Sequence, residues 1–130
     1  MKVDDAVDGI VRKPIKMVTA KQNDETLQRL VKDWHLGPEK ASEDPKANGT
    51  FWSSIAQVWE VPTKQARRML CANCEYFENT PEMMEAMESI PQNKYDADGG
   101  GRGFCHKFDF ICHNLRTCQA WEYKEYNGEE

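Results

Sequence analysis

The chain has 130 residues, 39% of them hydrophobic and 30% charged, with a formal net charge of -5 and a mean hydropathy of -0.80. That length holds one domain, the hydropathy leaves no transmembrane segment, and the acidic balance excludes a global nucleic-acid footprint. Leu, Ile, Val and Phe together number 22, too small a share for aliphatic burial alone to close a core, so the five Cys, four Trp and six Met point to a metal or disulfide staple.

In chain order, residues 1–22 mix isolated apolar residues with charges and Pro14 in no sustained period, and read as an extended arm. Their opening, MKVDDAVDGI, lacks the apolar run of a secretory leader, which sets the expectation of a thiol-reducing compartment. There, an odd number of cysteines argues for metal ligands plus a spare thiol. From a cap at Asn23, residues Leu27, Leu30, Val31 and Trp34 recur at helical spacing, predicting a short helix over 23–36 that Gly37-Pro38 stops. Residues 37–50, with two Pro, two Gly and no large apolar side chain, read as a linker. Residues 51–130 hold all five Cys and 12 of the 13 aromatics and form the expected folded unit.

Within that unit, Phe51, Trp52, Ile55, Val58 and Trp59 make a helix stripe behind a Thr50 cap. A second short helix begins near Pro62-Thr63 and delivers the chain to Cys71. Asn79 and Glu82 flank Pro81 as a capping box, opening a helix with Met83, Met84, Met87 and Ile90 on one face, a cover for an aromatic shell. Residues 91–103 read as a loop, and no strong β-hairpin pattern follows. The expected fold is therefore small and mainly α with irregular loops, organised by a metal cluster and preceded by the arm.

Cys71 and Cys74 form a CxxC, which lets one turn of chain present two thiolates to one centre; Cys105, Cys112 and Cys118 follow in a stretch rich in Phe and Trp. Four thiolates suit tetrahedral zinc or an iron–sulfur cluster. Zinc ribbons usually bring a second close pair, whereas 12 residues separate Cys105 from Cys118 here, so the spacing favours a cube wrapped by chain. Tyr76, Phe77, Phe104, Phe108, Phe110 and Trp121 are the candidate water-excluding residues around it, with Tyr76, Phe104, Phe108 and Trp121 the expected cofactor-binding set.

Cys71-Ala-Asn-Cys74-Glu-Tyr76, then Gly103-Phe104-Cys105-His106-Lys107-Phe108, then Cys118-Gln-Ala-Trp121 resemble the high-potential iron–sulfur proteins over residues 71–121. The resemblance implies a [4Fe–4S] cluster on Cys71, Cys74, Cys105 and Cys118, with Cys112 spare and Tyr76 and Trp121 around the cofactor. With FWSSIAQVWEVP upstream, the arrangement also resembles small proteins of tailed bacteriophages. That likeness implies a minor structural component of a virion or of the host cytoplasm, docked on protein partners through its arm. A soluble one-electron carrier is the alternative, and a helix-turn-helix DNA-binding redox regulator and a Zn(Cys)4 structural module are further ones.

Other patterns carry less. Ile55 to Leu70 resembles a helix-turn-helix, but Glu60 stands where the turn favours Gly, and only Lys64, Arg67 and Arg68 supply positive charge. DNA is accordingly not an expected partner. Asp96-Ala-Asp98-Gly-Gly-Gly lacks the spaced carboxylates of a calcium loop and reads as a flexible turn. His106 and His113 sit beside cysteines without being counted as ligands, and no nucleophile–base grouping or phosphate-cradling loop predicts catalysis or a small-molecule substrate.

Overall fold

A computed structural model describes residues 15–124. Most of the expected arm, residues 1–14, and its docking role lie outside them. The first helix, α1, spans Ala20–Asp33, three residues earlier than the sequence pattern indicates. Thr19 is its cap, paired with Gln22 in a reciprocal capping box. Asn23 is released from capping to do something else: it is 2% exposed, and its side-chain oxygen accepts the backbone N–H of Ile111 at 2.6 Å.

Helix α2 (Gly49–Trp59) starts one turn-residue ahead of Thr50, from Asn48 in the left-handed region. It ends at Glu60, also left-handed at φ 59°. Helix α3 (Thr63–Ala66) is a single turn spanning about 6 Å, so the second half of the helix-turn-helix-like stretch is no recognition helix. Trp52, Ile55, Ala56 and Ala66 close a small core between the two, and the Arg67 guanidinium lies back over Trp52. Helix α4 (Pro81–Met87) is capped by the Thr80 hydroxyl rather than by Asn79, with Pro81 at its first position. Met83 and Met87 point inward while Met84 is 38% exposed.

Three strands form an antiparallel sheet in the order β1-β2-β3: β1 is Phe77–Glu78, β2 is Arg102–Cys105 and β3 is Phe110–His113. The domain is thus mixed α and β, correcting the mainly α expectation. The hairpin was masked for two physical reasons. All four β3 residues are buried, which erases the two-residue alternation of a half-exposed strand. Its turn also contains no glycine, Asp109 taking the left-handed conformation at φ 56°.

Strand pairing sorts the side chains onto two faces. Phe77, Gly103, Cys105, Phe110 and Cys112 share one, since Phe77 pairs with Cys105, Cys105 with Phe110 and Gly103 with Cys112. Phe104 and Ile111 face the other way and pack with Met83, Met87 and Ile90. The methionines therefore cover the back of the sheet, away from the cysteines. Gly103 has a steric reason: a Cβ there would meet the Phe77 ring at 2.0 Å.

Residues 37–50 are stitched into the body by backbone hydrogen bonds. Gly37 exchanges two with Thr117, at 3.0 and 2.8 Å, and Ala41 donates to Asp98 at 2.8 Å. Among the described residues, no helix is long and apolar enough to cross a membrane.

A cysteine-lined cavity as candidate metal centre

Four short pieces of chain carry the five thiols. Cys71 opens a 3-10 turn, Cys71–Asn73, and Cys74 follows it. Cys105 ends β2, Cys112 lies in β3 on the same face, and Cys118 begins the turn in which the Trp121 N–H returns to the Cys118 carbonyl at 3.1 Å. All five line one cavity, little wider than a water molecule. Tyr76, Phe108 and Trp121 form aromatic wall, as the sequence led one to expect, but Phe104 does not: it lies on the opposite face with the methionines.

The wall is fixed by specific contacts. The Trp121 indole N–H reaches the Leu70 carbonyl at 2.8 Å and the Asn73 side-chain oxygen at 2.9 Å, locking the ring onto the CxxC turn. Trp34 from beyond α1 packs on Phe108 with ring centroids 5.1 Å apart. Phe77 and Phe110, both on the cavity lining, complete the apolar surroundings. Lys107, at the hairpin turn, lines the cavity and holds its ammonium over Tyr76 at 5.3 Å and Phe108 at 5.8 Å.

Two kinds of sulfur occur here. Nearby backbone N–H donors act on three of the thiols: those of Glu122 and Tyr76 on Cys74, those of Phe108 and Lys107 on Cys105, and that of Ala120 on Cys118. Such donors favour the thiolate over the thiol. Burial outweighs them in the metal-free chain, pushing Cys105 up to about 11 and Cys118 up to about 12, with Cys74 raised as well. Cys71 and Cys112 instead partner each other, Sγ to Sγ at 2.7 Å, and that contact more than burial raises the Cys71 thiol. Two thiolates on one tetrahedral ion stand about 3.8 Å apart for metal–sulfur bonds of about 2.3 Å. The Cys71–Cys112 contact is closer than that, so only one of the two can be a ligand as they are placed.

Among the described residues, no three His, Cys, Asp or Glu side chains converge on a point suited to a single bound ion. The two histidines beside the cysteines face elsewhere. His106 is exposed and meets Glu78 at 2.8 Å. His113 is 2% exposed and joins a buried network behind the sheet. There the Arg116 guanidinium donates to its Nδ1 at 2.7 Å, so Nε2 carries the proton and donates to Asp96 at 2.8 Å. Asp96 also receives Arg102 through two nitrogens at 2.7 and 3.0 Å and the Asn93 N–H at 2.6 Å. The stretch read as a flexible glycine turn is therefore anchored. Gly99 is needed in it, because a Cβ there would strike Arg116 at 2.4 Å.

The sequence reading set Cys112 aside as a spare thiol and did not single out Lys107, both of which line the cavity; position 112 had one available sign, its two-residue register with Phe110 once β3 is recognised. The chain matches no protein-family model, no curated protein and no solved structure.

Proposed function

We propose that this domain binds a thiolate-ligated metal cofactor, a [4Fe–4S] cluster, that staples its fold. The observation that carries the reading is the gathering of five thiols on one aromatic-walled cavity. Hydrogen bonds to sulfur and an apolar surround are the means by which proteins hold such clusters and tune them. Cys74, Cys105, Cys118 and one of the Cys71–Cys112 pair, Cys71 by its place in the CxxC, are the ligands. A cofactor so held ties the CxxC turn, the hairpin and the 118–121 turn together. In this aliphatic-poor chain it substitutes for core, and metal-binding free energy becomes folding free energy.

A second reading is Zn(Cys)4, favoured by the narrowness of the cavity: a single ion needs less parting of the walls than a cube. Iron, acid-labile sulfide and zinc assays on anaerobically purified protein decide. About four irons and four sulfides per chain, with a brown colour, support the cluster; one zinc per chain in a colourless protein replaces it with the second reading, and neither metal overturns both.

A further inference from the structure

The Cys71–Cys112 contact is the feature that the cofactor reading does not use. These two sulfurs stand 2.7 Å apart, and both residues are buried, at 8% and 2% exposure. No other pair of cysteine sulfurs is hydrogen-bonded among the described residues. The backbones that carry them are already joined: the Cys71 N–H donates to the Arg116 carbonyl at 2.6 Å and the Ala72 N–H to the Asn114 carbonyl at 3.2 Å. The CxxC turn is thus fastened to the exit of β3, which holds the two sulfurs in contact.

We propose that Cys71 and Cys112 form a disulfide in the metal-free protein by exchange with a small-molecule disulfide, a modification that excludes the cofactor. The Cys71 thiolate, the more exposed of the two, attacks one sulfur of the small disulfide, making a mixed disulfide and expelling one thiolate. Cys112 then loses its proton and attacks the Cys71 sulfur, expelling the second. In sum, two protein thiols and one small disulfide give one protein disulfide and two small thiols, the electron pair passing to the small molecule. With Cys71 so engaged, its sulfur has no charge to offer a metal. The pairing itself stands independently of the cofactor; only the exclusion rests on the proposed function.

The test uses the full-length chain, stripped of metal by a chelator without oxygen and incubated with oxidised glutathione. Non-reducing digestion and mass spectrometry then map the linkages. The expected result is a Cys71–Cys112 linkage at least about tenfold more abundant than any other, with Cys74, Cys105 and Cys118 free. A dominant Cys71–Cys74 bridge, a scrambled set of pairings, or only glutathione adducts overturns the proposal. Because Cys112→Ser and Cys71→Ser risk perturbing the fold, the wild-type map is decisive by itself. Metal uptake is measured separately on reduced and oxidised samples. If the reduced chain takes up iron or zinc, the oxidised chain should take up at least about tenfold less until a dithiol restores it; equal uptake removes the exclusion. A reduced chain that takes up no metal removes the cofactor reading and leaves the pairing to the map.

Discussion

The two faces of the three-stranded sheet are finished in different ways. The back is complete in polypeptide: Met83, Met87, Ile90, Phe104 and Ile111 pack together, and the Asp96–Arg102–His113–Arg116 network pairs its buried charges with one another and with backbone carbonyls, including those of Pro38 and Glu39. The front gathers five thiols on one cavity, of which Cys71 and Cys112 partner each other. A polar group in a closed interior is tolerated when it is fully partnered. The back meets that condition by itself, whereas the front is where the proposed cofactor would supply the partners.

The comparison breaks hardest at the front. Cys74→Ser, Cys105→Ser or Cys118→Ser should each abolish metal content and cost several kcal/mol of stability, because the lost binding energy is folding energy. Cys112→Ser should keep the metal. Metal analysis together with circular dichroism on the purified variants checks both, and retention of metal by Cys105→Ser would reverse the assignment. Met87→Ala, at the back, should cost about 2–5 kcal/mol in denaturant unfolding as a cavity opens. Its metal-to-chain ratio should stay that of the wild type.

Titration separates the faces next. In metal-free protein the folded Cys105 thiol sits near 11 against 9.0 for its ordinary value. The unfolded chain therefore releases its proton first, and stability falls as pH rises from about 9 to 11. At about 1.4 kcal/mol per unit, this amounts to about 3 kcal/mol for that thiol. Metal-loaded protein, its thiolates already formed, should lack this alkaline loss. The back responds to acid. Burial, more than any neighbouring charge, holds His113 below its ordinary 6.5, so the unfolded chain binds a proton first and stability falls as pH drops below about 6.5. Asp96 is lowered by Arg102 and His113 against the opposing effect of burial, and its contribution is lost below its ordinary 3.8. Thermal unfolding across pH, with and without metal, reads both limbs.

The smallest effect expected lies where α1 meets the sheet. Asn23→Ala should cost about 1–3 kcal/mol by leaving the Ile111 N–H unpartnered in the interior, with metal content unchanged in the same assay.

What the sequence made legible were features carried by spacing along the chain. The CxxC and most apolar positions of α1, α2 and α4 lie within a few residues of one another, and the three helices form near their predicted places, although Val31, Val58 and Met84 of those stripes are exposed. What it hid depended on pairing across the chain. β3 is apolar on both faces, and its turn uses Asp109 where a glycine would have announced a hairpin. Phe104 was placed beside the cofactor because it precedes Cys105, yet adjacent strand residues point to opposite faces, so its neighbour's role argues against its own. Residues 37–50 looked like a linker because they contribute no large apolar side chain, whereas backbone hydrogen bonds that composition does not register tie them down. Asp96 and Arg116 became intelligible only when the fold brought them to His113.

Asn23 has a consequence beyond its share of folding energy. β3 is an edge strand, and an edge strand offers its free N–H and C=O groups to any extended segment that approaches. The Asn23 side-chain oxygen stands where such a segment's carbonyl would have to sit, 2.6 Å from the Ile111 nitrogen, and α1 packs against the strand. A helix laid over the edge, with one amide mimicking the missing neighbour, ends the sheet at three strands and shields an apolar FICH segment from pairing with its counterpart in a second molecule.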